Sequence, residues 1–210
     1  MRSRYIAIEG PIGVGKTVLA RRLAALWDAR LELEPVDNPF LEAFYRDRRG
    51  AAFSAQIWFL VTRYRRQLDL IQRDLFHQTT VADYLFEKDR IFAFLNLDDT
   101  ELATYEKLYH LLAADVPKPD LVVYLQAKVP VLAERIARRG REVERRISEA
   151  YLEEVVKAYD HFFFRFEEAP LLVVDTNDFD PAHDATQLDD LVRRIERMDR
   201  GGVEYYRPGG

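Results

Sequence analysis

Near the start of the chain, Gly10-Pro11-Ile12-Gly13-Val14-Gly15-Lys16-Thr17 fills the pattern GxxxxGK[ST] between an apolar stretch and an amphipathic one, which is the spacing of a phosphate-holding loop. Glycines at Gly10, Gly13 and Gly15 let the backbone curl, so that successive amides, that of Val14 included, point inward at phosphate oxygens. The helix that follows adds the positive end of its dipole. Lys16 would reach the β and γ phosphates, and the Thr17 hydroxyl would ligate magnesium. Pattern and context together favour this over an ordinary glycine-rich turn, and they predict a phosphotransferase that uses ATP and Mg2+.

A phosphate loop identifies the donor and leaves the reaction open, because motors, switches and kinases share it. A guanine-nucleotide switch would carry an [NT]KxD-like reader late in the chain, where Asp175-Thr176-Asn177-Asp178-Phe179 stands instead. A motor ATPase would carry a strongly apolar strand ending in acids, and the chain offers only Thr80-Val81-Ala82-Asp83. Small-molecule kinase chemistry remains. A carboxylate at the carboxyl edge of a parallel sheet, as Glu34 in Glu34-Pro35-Val36 is placed by the pattern, faces the ligand crevice and can accept a hydrogen bond from an attacking alcohol.

From Tyr5 to about Phe179 the chain resembles the deoxynucleoside kinase family, which contains deoxycytidine, deoxyguanosine and deoxyadenosine kinases. The resemblance implies that Glu34 is the general base for the nucleoside 5′-hydroxyl, and that the group acted on belongs to a deoxynucleoside. Tyr45 and Gln56, eleven positions apart, match a sugar-contacting tyrosine and a base-reading glutamine. In Asp83-Tyr84-Leu85-Phe86-Glu87-Lys88-Asp89-Arg90 the resemblance implies a magnesium-holding acid at Asp83, which acts through water. Tyr84 stands where the family carries an arginine beside the base and 5′-oxygen, so another residue must supply that charge. Arg63 and Asp89 match a pair at the base end of the pocket in purine-accepting members.

The segment from Glu134 to Arg146 contains six arginines and resembles the family's lid, about residues 135–147. Arg135 and Arg139 lie one helical turn apart and share a face, and Arg141 follows the bend at Gly140. Guanidinium groups suit a transferring phosphoryl group, so Arg135 and Arg139 join Lys16 and Glu34 as implied catalytic residues. Arg139, Arg141 and Phe179 are implied at the donor, and Glu144 at the sugar 3′-hydroxyl. Ala55 and Ala93 fall where some members place phenylalanines. A widened pocket then implies deoxyadenosine or deoxyguanosine over thymidine, with adenine and guanine undecided. The alternatives are a monophosphate kinase of thymidylate kinase type, or a regulatory P-loop protein that binds nucleotide without transferring it.

These side chains need a frame. The apolar runs predict strands at Tyr5–Glu9, Leu31–Val36, Thr79–Asp83, Leu121–Ala127 and Leu171–Asp175, alternating with helices at Lys16–Trp27, Pro39–Arg48, Ala52 to about Phe76, Asp98–Ala114, Pro130–Arg139, Ser148–Glu168 and Ala185–Arg197. That order is an α/β P-loop kinase fold, a five-stranded parallel sheet with helices on both faces, in one domain over residues 1–200. Residues 201–210, rich in glycine, read as a weakly ordered tail. The 210 residues are 48% hydrophobic and 32% charged, with no cysteine, so disulfides and thiolate metal sites are excluded. A formal charge of −5 disfavours nucleic acid as partner. No apolar run approaches the roughly 20 residues of a membrane span, and no secretory signal opens the chain, which predicts a cytoplasmic enzyme. The apolar run His161–Phe166 and the long helix from Ala52 to about Phe76 predict core or a homodimer face.

Overall fold

The computed structural model describes residues 4–46, 50–71, 78–142, 144, 147–181, 184–198 and 201–209. In chain order the elements are β1 (Arg4–Glu9), α1 (Lys16–Trp27), β2 (Arg30–Glu32), α2 (Leu41–Tyr45), α3 (Ala51–Ile71), β3 (Thr79–Ala82), α4 (Lys88–Asn96), α5 (Asp99–Ala113), β4 (Leu121–Gln126), α6 (Val129–Arg139), α7 (Glu149–Phe164), β5 (Leu171–Asp175), α8 (Ala185–Arg197) and β6 (Val203–Tyr206). The strands form one sheet in the order β2-β3-β1-β4-β5-β6, and every pairing is parallel.

Alternation along the central strands sorts their side chains between two helical layers. Ile6, Ile8, Val123 and Leu125 pack with Leu19 and Leu23 of α1 and Leu191 and Ile195 of α8. The opposite face, with Ala7, Val122 and Tyr124, packs on Val155, Tyr159 and Phe163 of α7. A third cluster, Leu60, Phe86, Ala93, Tyr105 and Tyr109, joins α3, α4 and α5 beyond the sheet. The chain leaves β1 toward β2 and β3 on one side and crosses to β4 on the other. The carboxyl ends of these strands therefore open on a switch-point crevice.

The predicted elements need four corrections. The sheet has six strands, because the supposed tail forms β6 from Val203 to Tyr206, in register with Leu171 to Val174. Its glycines, Gly201 and Gly202, take positive φ before the strand, and Leu171 donates a 2.9 Å hydrogen bond to the Gly202 carbonyl. Second, β2 ends at Glu32, which leaves Glu34 in the loop beyond it. Third, α4 is a helix that the apolar pattern did not signal. Fourth, α2 covers only Leu41 to Tyr45. The predicted ends of this helix and of α3 run into residues 47–49 and 72–77, which lie outside the described residues. Asp98 and Ser148 are caps rather than helical positions, accepting hydrogen bonds from the first turns of α5 and α7.

β6 covers the β5 edge and half-buries Tyr206 against the first core layer, with Arg194 over its ring at 4.7 Å. Ending the chain at Gly202 is expected to lower stability by about 2 kcal/mol, a fall of about 4 to 8 °C in Tm for a domain of this size. Thermal unfolding measures it; an unchanged Tm would show that β6 does not close the sheet.

Candidate functional site

The loop after β1 has the backbone that its glycines predict. Gly10, Gly13 and Gly15 have φ of 151°, 87° and 108°, values that L side chains rarely adopt. A Cβ on Gly10 would lie 2.4 Å from the Leu125 carbonyl oxygen, and one on Gly13 2.8 Å from Ile136 Cγ1. The loop is thus seated against β4 and α6. Lys16 folds over it, its Nζ donating to the carbonyls of Gly10 at 2.6 Å and Pro11 at 3.1 Å. Burial and the neighbouring Lys88 ammonium lower the Lys16 pKa to about 8.

Thr17 Oγ1 donates to Asp83 Oδ2 at 2.5 Å, and Asp83 Oδ1 accepts the backbone amide of Glu34, also at 2.5 Å. One hydroxyl and one carboxylate converging at the mouth of a phosphate loop fit a hard cation that keeps waters and phosphate oxygens as its other ligands. Behind them Glu9 is wholly buried. Its Oε1 accepts from the Gly10 amide at 2.8 Å and Tyr159 OH at 3.1 Å, and its Oε2 from the Leu85 amide at 2.8 Å. Lys16 and Lys88 lie 4.0 and 3.9 Å from Glu9 Oε1. Sequence reasoning missed Glu9 and Lys88; the lysine's only signal is its place inside the Asp83–Arg90 segment.

One cleft of about 500 Å3 runs from Lys16 past Glu34 to Gln56 and Arg63, with Tyr45 and Glu144 in its walls. Glu34 Oε1 receives Arg63 Nη2 at 2.5 Å and Lys88 Nζ at 2.7 Å. Burial alone would raise the Glu34 pKa, but the charges of Lys88, Arg63 and Lys16 outweigh it and hold the carboxyl well below its usual range. Arg63 also pairs through Nη1 with Asp89 and lies 4.5 Å from the Phe59 ring centroid. Asp89 stands behind the cleft, its Oδ2 taking the Tyr105 hydroxyl at 3.0 Å. The backbone carbonyl of Asp89 accepts Gln56 Nε2 at 2.9 Å. Because that acceptor demands a donor, the Gln56 amide keeps its oxygen and a second N–H for another partner.

Two sequence-predicted neighbours lie elsewhere. Tyr84 is buried outside the cleft lining, with Glu32 and Gln67 as its polar surroundings and its pKa raised by burial. Ala93 packs in the third core cluster, whereas Ala55 does line the cleft.

The arginine segment divides. Arg135 donates to the carbonyls of Val14 at 3.3 Å, Thr176 at 2.7 Å and Phe179 at 3.0 Å, and to Thr176 Oγ1 at 3.1 Å. These partners occupy the guanidinium that was predicted to meet phosphate. Arg135 instead ties α6 to the phosphate loop and to the loop after β5. The Phe179 ring is in the core, which leaves only its backbone for a ligand. Arg139 is held by Glu144 Oε2 through Nε at 3.0 Å and Nη2 at 2.7 Å, and Arg141 lies 3.6 Å from Glu144 Oε1. Arg141 and Glu144 both line the cleft. Residues 143, 145 and 146 of the predicted lid lie outside the described residues. No helix among the described residues is long and apolar enough to cross a membrane.

A family profile described as deoxynucleoside kinase matches residues 6–198. The deoxyguanosine kinase of Bacillus subtilis (strain 168) is 40% identical over 179 residues, covering 84% of this chain and 86% of its own. The deoxyadenosine/deoxycytidine kinase of the same organism is 30% identical over 203 residues, covering 92% of each chain. Among solved structures, the deoxyadenosine kinase of M. mycoides with the products dCMP and a flexible dCDP bound superimposes with a TM-score of 0.79 at 27% identity, over 91% of this chain and 98% of that one.

The geometry of Arg135 makes a sharp forecast. Arg135→Ala should cost about 2 to 3 kcal/mol of stability, because it strips buried carbonyls of a charged donor. Arg135→Lys should recover little of it, since an ammonium lacks the planar fork. Thermal unfolding of the three proteins tests this, and an unchanged Tm with collapsed kcat would return Arg135 to the phosphates.

Proposed function

Because the chain belongs to the deoxynucleoside kinase family, we propose that it moves the γ-phosphoryl group of ATP onto the 5′-hydroxyl of a purine deoxynucleoside, deoxyadenosine or deoxyguanosine. Family membership makes it a phosphotransferase with an alcohol group as acceptor. One observation carries the finer reading: a single cleft joins Lys16, Glu34 and Gln56, so that phosphate cradle, acid and base-reading amide open on the same space.

In this reading the loop amides and Lys16 hold the triphosphate, and Thr17 and Asp83 would hold Mg2+, which neutralises phosphate charge as transfer proceeds. Glu34 accepts the hydrogen bond of the 5′-hydroxyl and aims its oxygen in line with the γ-phosphorus. The loose transition state asks more for orientation than for deprotonation. Tyr45 and Glu144 contact the sugar, and Arg139 and Arg141 close on the phosphoryl group once they exchange Glu144 for it, which also excludes water. Gln56 reads the base with Arg63, whose guanidinium Asp89 keeps in place. Two rings fit because Ala55 leaves room in the wall. The same reading makes the protein a cytoplasmic salvage enzyme and a homodimer; exposed apolar side chains on α4 and α5, Phe94 and Leu111, at 59% and 72%, support the pairing alone.

Product analysis with labelled ATP and deoxyadenosine, deoxyguanosine, deoxycytidine and thymidine tests the proposal. A purine substrate should show the highest kcat/KM. Gln56→Leu, which keeps volume and removes the amide, should cost that substrate roughly 100-fold, because a site built to pair a base edge loses most when its pairing group goes. Thymidine leading, or an unaltered purine rate in Gln56→Leu, would overturn the account of specificity.

A further inference from the structure

We propose that Lys88 is a positioning residue of phosphoryl transfer, the cation that keeps the Glu34 carboxylate aimed at the acceptor hydroxyl. The inference deepens the kinase reading and rests on it. Its ground is the way the cleft divides the two oxygens of Glu34. Among the described residues both cations, Arg63 Nη2 and Lys88 Nζ, bind Oε1, at 2.5 and 2.7 Å. In this reading the cations take Oε1, and Oε2 accepts the proton-bearing group of the acceptor in the cleft.

The two cations differ in what else holds them. Arg63 is bound to Asp89 and stacked on Phe59 at the far end of the cleft, so its place is set by the base pocket. Lys88 is the first residue of α4 and is only 3% exposed. Both facts count against a cation there, because the helix amino end carries partial positive charge and a buried ammonium loses its hydration. It also lies in the field of Lys16. What compensates is a pair of carboxylates, Glu34 at 2.7 Å and Glu9 at 3.9 Å. Glu9 already receives three hydrogen bonds from Gly10, Tyr159 and Leu85, so the short contact, to Glu34, is the one that Lys88 alone makes from this side. Tyr84, next to Asp83, is buried away from the cleft; Lys88 brings a positive charge into it four residues later.

A double-mutant cycle on kcat separates this role from a merely structural one. Lys88→Met in the parent should lower kcat about 100-fold, the size of a lost acid–base positioning effect, with KM for the deoxynucleoside changed less than about threefold. In a Glu34→Gln background the same change should cost less than about twofold, since the two groups act as one unit. Lys88→Arg should restore at least roughly a tenth of the parent kcat, as a second cation of similar reach. The cycle is repeated with Lys88→Gln, whose amide still donates toward Glu9, so that a methionine variant that fails to fold does not decide the matter. Equal losses in both backgrounds, or a change confined to KM, would overturn the role of Lys88 while leaving an active kinase. A parent that phosphorylates no deoxynucleoside would overturn the kinase reading and this inference together.

Discussion

A carboxylate without access to water, Glu9, stands where the phosphate loop, the segment between β3 and α4, and α7 meet. Burying it carries a desolvation cost of several kcal/mol, offset here by donors from three elements: the Gly10 amide of the phosphate loop, the Leu85 amide between β3 and α4, and the Tyr159 hydroxyl of α7. Since β1 lies between β3 and β4 in the sheet, a side chain at its end reaches both walls of the crevice. The donor loop and the acceptor wall are therefore set by the same atom group.

From that anchor a line of alternating charge crosses the cleft. Glu9 faces Lys16 and Lys88, Lys88 and Arg63 meet on Glu34, and Arg63 ends on Asp89, which Tyr105 holds from behind. Each member is stabilised only while its neighbours stay, because removing one partner of a buried pair leaves the other uncompensated. Such a line does little for stability by itself, yet it defines where each head group points. Its midpoint is Glu34, within reach of both the phosphate end and the base end of the cleft.

Much of this was legible in the sequence because it depends on local spacing. The phosphate loop is contiguous in sequence, and the eleven-residue interval from Tyr45 to Gln56 brings both to one cleft. The central strands were readable as apolar runs because both of their faces are covered. What escaped depends on contacts across the fold. Glu9 and Lys88 are charges, whose default place is the surface, and nothing in the sequence pairs them across 79 positions. β6 follows two glycines and exposes Val203 and Tyr205, so it reads as coil until β5 offers it an edge. α4 buries Lys88 and Asp89 beside Ile91 and Ala93, so its inner face does not read as an apolar stripe. Arg135 shares a helix face with Arg139, but only the fold shows that the carbonyls of Val14, Thr176 and Phe179 take it up.

The central claim, that one buried carboxylate sets donor and acceptor sites together, is tested most directly by titrating Glu9→Gln separately with a non-hydrolysable ATP analogue and with a deoxynucleoside, by calorimetry. The amide keeps the shape but sets an N–H donor against the Gly10 or Leu85 amide and withdraws the counter-charge from Lys16 and Lys88. The account predicts a folded protein in which both affinities fall, each by roughly tenfold or more. A variant that loses affinity for one ligand while binding the other as the parent does would contradict it.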